Sequence, residues 1–338
     1  MKNDNSIKEN SIDIVLPWVD PSDEKWRESR KKYASEQMDT SDNRDMRFRD
    51  WDNLQYLFRG IQKYAPWVRK VHFVTCGHLP GWLNTECEKL HIVRHEDYIP
   101  KEFLPTFSSH TIELNMHRIE GLSDHFIYFN DDIFIIDELK EEDFFHNGLP
   151  CDCLASSPII PRQNSYFPIL FNAVLRINNH FDKKKLVKKR PGLWFNKAYK
   201  FKFMFRSFMF ITWDSHIGFV NHHLAVPYNK STLETVWKKE KQILTETCSR
   251  KFRDDRDVNQ LFFRYWQLAS GNFYPHRFLG KLITNNRNVN EAVAYIRKRK
   301  GKLVCFNDNN EECDFEHYKA KINKALNDIL PEKCDFEK

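Results

Sequence analysis

The chain has 338 residues, of which 41% are hydrophobic and 30% charged, with a formal net charge of +6 at pH 7. This length suits one large catalytic unit or two modest domains, and so mild a positive charge does not indicate a nucleic-acid partner. Glycine is scarce, at 10 residues, and phenylalanine abundant, at 28, which excludes a repetitive or disordered chain and favours a compact, aromatic-rich protein.

No targeting or membrane-spanning segment is expected. Residues 1–10 are polar and lack the apolar stretch of a signal peptide. No run of about 18 apolar residues occurs, so no transmembrane helix is predicted. The eight cysteines are scattered and form no C-x-x-C pair, which argues against a structural zinc site. We therefore expect a cytoplasmic protein with free thiols.

Strands and helices alternate in the first part of the chain. Apolar runs predict strands, and apolar residues at helical spacing predict helices near 53–64 and 109–119. Such alternation predicts an α/β fold with a mostly parallel sheet, in which ligands bind at the carboxyl ends of the strands. The predicted strands are Ile12 to Leu16, Val71 to Thr75, His91 to His95 and His125 to Phe129.

The later chain has a different character. A middle segment is dense in basic and aromatic residues, and we interpret it as an insertion between two halves of one catalytic unit, residues 1–338. The three parts are 11–145, the basic and aromatic insertion 146–215, and 216–338. Helices are expected near 231–247 and 258–269, followed by a strand at 303–306 and a final helix.

Asn130, Asp131 and Asp132 directly follow the predicted strand His125 to Phe129. Two adjacent carboxylates after a buried strand repel each other and lose hydration, a cost that a cation relieves. Magnesium binds a few carboxylates together with phosphate oxygens, so the pair suits a metal–diphosphate complex. A strand-to-turn cap is the alternative interpretation, because Asn and Asp are common in turns.

Two further clusters precede the acidic pair in the sequence. The loop from Trp18 through Asp20 to Asp23 follows the first strand, and its aromatic ring and carboxylates could hold a nucleotide base and ribose. A surface turn around one buried Trp explains the same pattern. Arg47, close to Asp50, offers a guanidinium group suited to bidentate phosphate binding, although such clusters are also common on solvated surfaces.

Two groups of histidines are candidates for acid–base chemistry. Glu113 and His117 share one face of the helix predicted near 109–119, with Arg118 adjacent. His223 ends the sequence Asn-His-His before a predicted helix, where an imidazole could face a reacting hydroxyl. The phosphate-binding loop of ATPases, the dinucleotide fingerprint and the nucleophile elbow are all missing from the sequence. Their absence disfavours ATPases, dehydrogenases and α/β-hydrolases.

Four blocks of the sequence together resemble the Stealth family of sugar-phosphate transferases. This family includes bacterial capsular and exopolysaccharide phosphotransferases and an animal GlcNAc-1-phosphotransferase. The resemblance spans nearly the whole chain, and the second block is long and specific. The blocks are Ile12 to Asp23, Arg47 to Asp132, His223 to Pro227 with Phe252 to Asp257, and Cys305 to Asp308 with Pro331 to Glu337.

The resemblance implies a nucleotide-sugar-transferase-like (GT-A-like) α/β core with a helical, aromatic-rich insertion. It also implies transfer of a sugar-1-phosphate from a UDP-sugar to a hydroxyl of an oligo- or polysaccharide. UMP would be released, a phosphodiester formed, and the product used in capsule or exopolysaccharide synthesis. The main alternative is a metal-dependent glycosyltransferase that releases UDP, and a second is a non-catalytic carbohydrate- or membrane-binding protein.

The resemblance further assigns roles to residues. Mg²⁺ or Mn²⁺ would be held by Asp131, Asp132, Asn307 and Asp308. Arg253 and Arg47 would offset phosphoryl charge. His223 is the first candidate for the group that deprotonates the acceptor, and His117 is the second. The expected substrate-binding residues are Trp18, Asp20, Asp23, Arg47, Asp50, Arg118, Asn130 and Asp257.

The segment 183–210 suggests an additional contact. Its lysines and aromatic residues could dock on an anionic membrane, which would place the protein on the inner face of the plasma membrane. They could instead grip a growing polymer that carries phosphate. The third interpretation is an aromatic face packed on the core beside a solvated run of lysines.

Overall fold

A computed structural model describes residues 11–34, 50–160, 166–284, 288–307 and 314–338. Within these ranges short strands alternate with helices. The strands are β1 (Ile12–Pro17), β2 (Val71–Thr75), β3 (Leu90–Arg94), β4 (His125–Tyr128), β5 (Ile133–Ile135), β6 (Phe145–His146), β7 (Leu149–Asp152), β8 (Val226–Asn229), β9 (Tyr274–Pro275), β10 (Gly280–Thr284) and β11 (Leu303–Asn307). The α-helices are α1 (Glu24–Ala34), α2 (Leu54–Tyr64), α3 (His95–Tyr98), α4 (Ser109–Leu114), α5 (Phe167–His180), α6 (Lys183–Lys189), α7 (Phe201–Met209), α8 (Lys230–Lys239), α9 (Lys241–Ser249), α10 (Leu261–Ser270), α11 (Val289–Arg297) and α12 (Phe315–Ile329).

The central sheet has five strands in the order β3-β2-β1-β4-β8. Its first four strands run parallel, and β8 pairs antiparallel with β4. Strands β1 and β2 are almost completely buried, because helices cover both faces of the sheet. The prediction of an α/β fold with a mostly parallel sheet is confirmed.

The order of the strands creates a crevice between β1 and β4. The chain builds β1, β2 and β3 in one direction across the sheet and then returns to add β4 on the other side of β1. Ligands of open α/β sheets bind at such a reversal, beyond the carboxyl ends of the two strands. The loop from Trp18 to Asp23 follows β1, and Asn130 to Asp132 follow β4, so both acidic loops meet at this crevice.

The acidic pair also lies where the chain leaves the central sheet. Directly after it, β5 joins a second sheet with the order β10-β11-β5, while a third small sheet has the order β6-β7-β9. Helix α2 approaches β5 closely at Gly60, where an added Cβ would lie 2.9 Å from the Ile135 carbonyl oxygen. Apolar side chains of α2, α11 and α12 form the core on one face, and those of α5, α8, α9 and α10 form it on the other.

Two predicted helices differ from the structure. The helix expected over 231–247 is two helices, α8 and α9, separated at Glu240. There the Glu240 carboxylate lies 2.7 Å from His180 Nε2, so a tertiary contact holds the break. The helix expected over 109–119 ends at Leu114 and continues as the 3₁₀ turn Met116–Arg118.

The segment predicted as an insertion, 146–215, contains α5, α6 and α7. Part of its aromatic content is core, since Trp194 and Tyr199 are buried against the face that includes α10. Strand β6 crosses the predicted boundary at 145/146, and the boundaries themselves stay predictions. The aromatic residues of α7 behave differently, because several of them are exposed to solvent.

The described residues include no helix that is both long and apolar enough to cross a bilayer. The seven cysteines in these ranges are free thiols, five of them buried. The cytoplasmic location stays a prediction.

Candidate active site

The acidic pair lies on a turn that the end of β4 holds in place. Asn130 accepts the backbone N–H of Ile133 at 3.2 Å, which reverses the chain into β5. The Tyr128 hydroxyl lies 2.5 Å from Asn130 Oδ1 and 3.1 Å from Glu113 Oε1, so it lies between an amide and a carboxylate. The backbone carbonyl of Asn130 thus closes the turn that presents Asp131, and its side chain joins this turn to Tyr128.

Asn307 reaches the acidic pair from the far end of the sequence. Strand β11 pairs antiparallel with β5, with Cys305 opposite Ile133. The backbone N–H of Phe306 then donates to the Asp132 carbonyl at 2.9 Å. One residue further along the same register, Asn307 lies level with Asp131. The structure therefore brings together three of the four predicted metal ligands, and Asp308 lies outside the described residues.

The carboxylates of this site are electrostatically crowded. Asp131 has an exposed side chain, yet protein surrounds it closely enough that desolvation, with a further contribution from Asp50, raises its pKa to about 6. Because Asp131 is exposed, a ligand can reach its carboxylate. The pKa of Asp50 is also raised, first by desolvation and then by Asp52. A bound cation would relieve this repulsion.

The donor set fits a hard cation bound together with phosphate. The described residues contain no group of three or more His, Cys, Asp or Glu side chains arranged to hold a metal. Magnesium does not need such a cage, because it commonly binds through one or two carboxylates plus substrate phosphates and water. Asp131, Asp132 and the amide of Asn307 carry oxygen donors of the type that this mode uses.

The loop after β1 is ordered by its own side chains. Asp20 Oδ1 accepts hydrogen bonds from the Ser22 backbone N–H at 2.8 Å and hydroxyl at 2.7 Å. Asp23 caps helix α1 by accepting the Trp26 N–H at 2.7 Å. Each carboxylate therefore orders the loop through one of its two oxygens.

Trp18 is half-buried and packs against side chains of β2 and of the turn after it. Its indole stacks on Phe73 at a centroid distance of 5.6 Å and meets the His78 ring edge-on at 5.3 Å. His78 also accepts the Asp20 N–H at 2.7 Å through Nε2, so it joins the loop to β2. The sequence analysis missed His78, because a histidine that follows a strand and a turn carries no distinctive spacing.

His223 lies at the same end of the sheet as the acidic pair. Strand β8 pairs antiparallel with β4, with Val226 opposite Tyr128. Residues three positions before Val226 and three after Tyr128 therefore lie at one edge, and these are His223 and Asp131. His223 is exposed and has a φ of +52°, a left-handed conformation that turns the loop sharply before β8.

A buried ion pair fixes the loop that carries His223. Arg264 of α10 contacts Asp152 of β7 through two hydrogen bonds of 2.6 and 2.8 Å. The same guanidinium donates to the Val220 carbonyl and to Asn221 Oδ1, both at 3.0 Å. Arg264 thus ties α10 and β7 to the two residues that precede the histidine pair.

The segment with Arg253 is held by Asp257. The Asp257 carboxylate is completely buried and accepts from Arg250 Nη1 at 2.8 Å and the Asp254 N–H at 2.9 Å, with His110 Nδ1 also at 2.9 Å. Such burial does not fit the predicted substrate contact, and Asp257 positions the segment instead. Arg253 is half-buried and donates to Ser109 Oγ at 3.0 Å.

His117 and Arg118 do not join the acidic pair. His117 is buried beside Trp237, and burial together with the charges of Arg118 and Lys230 lowers its pKa to about 3. The Lys230 N–H donates to the Asp124 carbonyl just before β4 begins, at the opposite end of that strand from Asp131. Arg118 lies over the same Trp237 ring, 4.9 Å from its centroid. The structure does not support acid–base or substrate contact for either residue.

Glu113, not His117, links this helix to the site. Besides its contact with Tyr128, Glu113 accepts the Gln260 N–H at 3.3 Å. The shared helix face of Glu113 and His117 was visible in the sequence, but it did not show which residue faces the ligand crevice. Arg47, the other predicted phosphate-binding residue, lies outside the described residues.

Comparison with known proteins identifies the family. The family model described as Stealth protein CR1, conserved region 1, matches residues 10–37, and that of conserved region 2 matches residues 47–151. The capsular polysaccharide phosphotransferase WcwK of Streptococcus pneumoniae is 40% identical over 329 residues, 97% of this chain and 98% of that protein. The receptor polysaccharide phosphotransferase WefC of Streptococcus oralis is 36% identical over 97% of this chain and 99% of its own length.

A third relative extends the comparison to another genus. The exopolysaccharide phosphotransferase cps2G of Lactiplantibacillus plantarum is 35% identical over 97% of this chain and 96% of that protein. Among solved structures, the galactosyltransferase LgtC is similar with a TM-score of 0.35 and 11% identity over 92% of this chain and 95% of that one, too distant to carry an argument. The chain therefore belongs to the Stealth family and is a phosphotransferase.

Proposed function

We propose that the protein transfers a sugar-1-phosphate from a UDP-sugar to a carbohydrate hydroxyl during synthesis of a capsule or exopolysaccharide. The acceptor oxygen attacks the β-phosphorus, the bond from that phosphorus to the bridging oxygen breaks, and the bridging oxygen leaves on UMP. The product is a phosphodiester. Full-length relatives named as capsular, receptor and exopolysaccharide phosphotransferases support this reaction class.

The observation that carries the proposal is the convergence of Asp131, Asp132 and Asn307 beyond the crevice between β1 and β4. These residues would hold Mg²⁺ or Mn²⁺, with Asp308 as the further predicted ligand. When bound, the ion would neutralise charge on the diphosphate. Desolvation, with a further contribution from the Asp50 carboxylate, raises the pKa of Asp131 to about 6, and this supports a site built for a cation.

His223 and Arg253 would act on the acceptor and on the phosphoryl group. An imidazole nitrogen of His223 takes the proton of the attacking hydroxyl, a role that suits an exposed histidine at the edge where Asp131 lies. The guanidinium of Arg253, with Arg47 as its predicted partner, offsets negative charge on the transferring group. Asp257 and Arg264 hold the segments that carry these two groups.

The nucleotide would lie along the loop after β1. Phe73 covers one face of the half-buried Trp18 indole, and the part of the ring that stays exposed would contact the uracil. Asp20 and Asp23 each order the loop with one carboxylate oxygen, which leaves the second oxygen of each for a ribose hydroxyl.

Identifying the released nucleotide tests the proposal. The purified full-length protein would be incubated with Mg²⁺, an oligosaccharide acceptor and UDP-glucose, UDP-galactose or UDP-GlcNAc. Chromatography would identify the nucleotide, and ³¹P NMR would detect the phosphodiester. We expect UMP and a phosphodiester. Release of UDP would establish the glycosyltransferase alternative, and magnesium-dependent binding without turnover would establish a binding protein.

A matched pair of variants tests the site itself. Asp131→Asn removes a carboxylate at the end of β4, and we expect transfer to fall by about 10²–10³-fold. Asp124→Asn makes the same change at an exposed position just before β4 and should leave transfer near the wild-type rate. Equal activity of the two variants would remove Asp131 from the reaction.

A further inference from the structure

Helix α7 presents an apolar stripe to solvent. Phe201, Phe205, Phe208 and Met209 recur at the spacing of one helix face, and their exposed fractions are 77%, 54%, 63% and 57%. Trp213, just beyond the helix, is 55% exposed. Single exposed apolar residues are ordinary on protein surfaces, but an adjacent row of large ones indicates an interaction site.

The stripe lies in a segment with charge of one sign. Residues 183–213 contain ten Lys or Arg and no Asp or Glu, whereas the whole chain has a net charge of +6, so the remaining residues are net −4. Lys197, Lys200, Lys202 and Arg206 are exposed within and just before α7. The partner of this surface must therefore combine negative charge with an apolar layer.

The surface is preformed, because α7 is anchored at both its inner face and its end. The Ser207 hydroxyl is buried and accepts the Ser156 N–H at 3.1 Å. The buried ammonium of Lys183 donates to the Phe210 carbonyl and, at 3.0 Å, to that of Trp213. The exposed aromatic residues consequently result from the orientation of a packed helix.

We propose that α7 docks on an anionic lipid bilayer surface. Its aromatic stripe would enter the boundary between headgroups and acyl chains, and its lysines would contact anionic headgroups, as interfacial amphipathic helices do. The contact is peripheral, since no helix within the described ranges can span a bilayer. The proposal goes beyond the phosphotransfer reaction and does not depend on it.

Docking would place the candidate active site beside the membrane. On the inner face of α7, Phe203 packs against Phe278 with ring centroids 5.4 Å apart. Phe278 in turn lies 4.6 Å from the ring of His222, the neighbour of His223. The helix that would enter the bilayer surface and the loop that carries the candidate base therefore both pack against Phe278.

Sedimentation with vesicles tests the proposal. The full-length protein would be mixed with vesicles of phosphatidylcholine alone or with a third of phosphatidylglycerol, at 0.05 and 0.5 M NaCl. We expect binding to the anionic vesicles, weakened by salt, and little binding to the neutral ones. Phe205→Ser with Phe208→Ser should weaken binding about tenfold or more, whereas Phe205→Leu with Phe208→Leu should retain most of it.

Charge variants provide the matched control. Lys200→Glu with Lys202→Glu should reduce binding to anionic vesicles about tenfold or more. Lys298→Glu with Lys300→Glu makes the same change in net charge at exposed positions near the end of α11 and should bind as the wild type does. All four double variants should retain transfer to a soluble acceptor, which separates this test from that of the reaction.

Three results would overturn the proposal. The first is that wild-type protein does not bind anionic vesicles, or that both the Phe→Ser variant and the Lys200→Glu with Lys202→Glu variant bind them as wild type does. The second is a dimer in analytical ultracentrifugation that the Phe→Ser variant disrupts, without vesicle binding, which would show that a second copy covers the stripe. The third is salt-sensitive binding to a soluble phosphate-bearing polysaccharide in place of vesicles.

Discussion

The ion pair between Asp152 and Arg264 allows a quantitative prediction of stability. The Arg264 side chain is 0% exposed and that of Asp152 is 5% exposed. Removing the carboxylate by Asp152→Ala leaves a guanidinium charge buried, with only the Val220 carbonyl and Asn221 as partners. Breaking a buried pair from one side costs about 3–5 kcal/mol, a large part of the 5–15 kcal/mol typical of folded proteins.

An exposed pair of the same residue types serves as the control. Arg297 of α11 contacts Asp328 of α12 at 2.6 Å, but their side chains are 46% and 36% exposed. Solvent screens this pair, so Asp328→Ala should cost less than about 1 kcal/mol. Both pairs join one arginine to one aspartate through two guanidinium nitrogens, and they differ mainly in burial.

Urea denaturation, followed by tryptophan fluorescence, would measure both free energies of unfolding. Asp152→Ala should lower the midpoint strongly without changing the slope against urea, and it should also reduce phosphotransfer by loosening the loop that carries His223. If Asp152→Ala costs no more than Asp328→Ala, the buried pair does not hold α10, β7 and this loop together.

Three other predictions concern two histidines proposed as bases, the buried His216 and the close approach of α2 to β5. His223→Ala should lower the transfer rate of the purified protein by about 10²–10⁴-fold. His117→Ala should instead lower the free energy of unfolding and leave the dependence of the transfer rate on pH unchanged. His216 is buried on Trp194, and burial together with Lys183 lowers its pKa to about 4. Between pH 6.5 and about 4 the unfolded chain binds a proton at His216 that the folded chain does not, so the free energy of unfolding falls as the pH falls. Urea titrations at pH 5 and 6 should show that the dependence of this free energy on pH is smaller by up to about 1.4 kcal/mol per pH unit in His216→Gln. An unchanged dependence would contradict a neutral His216 in the folded protein. Gly60→Ala should destabilise by about 1–3 kcal/mol in thermal unfolding, because the clash with β5 exceeds the roughly 1 kcal/mol that alanine adds to a helix; a more stable variant would show that α2 can shift.

The parallel part of the fold could be predicted because its signals are local. Strands β1 and β2 are buried on both faces, so each reads as a continuous apolar run, and the turns after β1 and β4 carry conspicuous Asp residues. Strand β8 was not predicted. It has four residues, one of them Pro227, and only its pairing with β4 makes it a strand. Likewise, the break at Glu240 depends on His180 from another helix.

The residues of the candidate site that follow strand ends could be predicted from the sequence. The residues whose position depends on the orientation of a helix could not. Asn307 and Asp131 are far apart in sequence, and only the family resemblance predicted that they lie in one site. In the structure, the register of β5 and β11 brings their backbones to neighbouring positions. His117 was favoured because histidine is a common base, but its helix turns it towards Trp237. One of the three interpretations of segment 183–210 was a solvated run of lysines, yet Lys183 is buried, since carbonyl groups at the end of α7 and just beyond it need a donor.

The order β1-β4-β8 has a geometric consequence for phosphotransfer. In-line displacement requires the nucleophile and the leaving group on opposite sides of the phosphorus. Here the loop that follows β1, the acidic pair that follows β4 and the loop of His223 that precedes β8 lie side by side in that order. Neighbouring strands lie about 4.8 Å apart, so the two outer loops are roughly 10 Å from each other with the acidic pair between them. In the proposed reaction, the spacing of the strands would place donor, phosphorus and acceptor in one row, as in-line displacement requires.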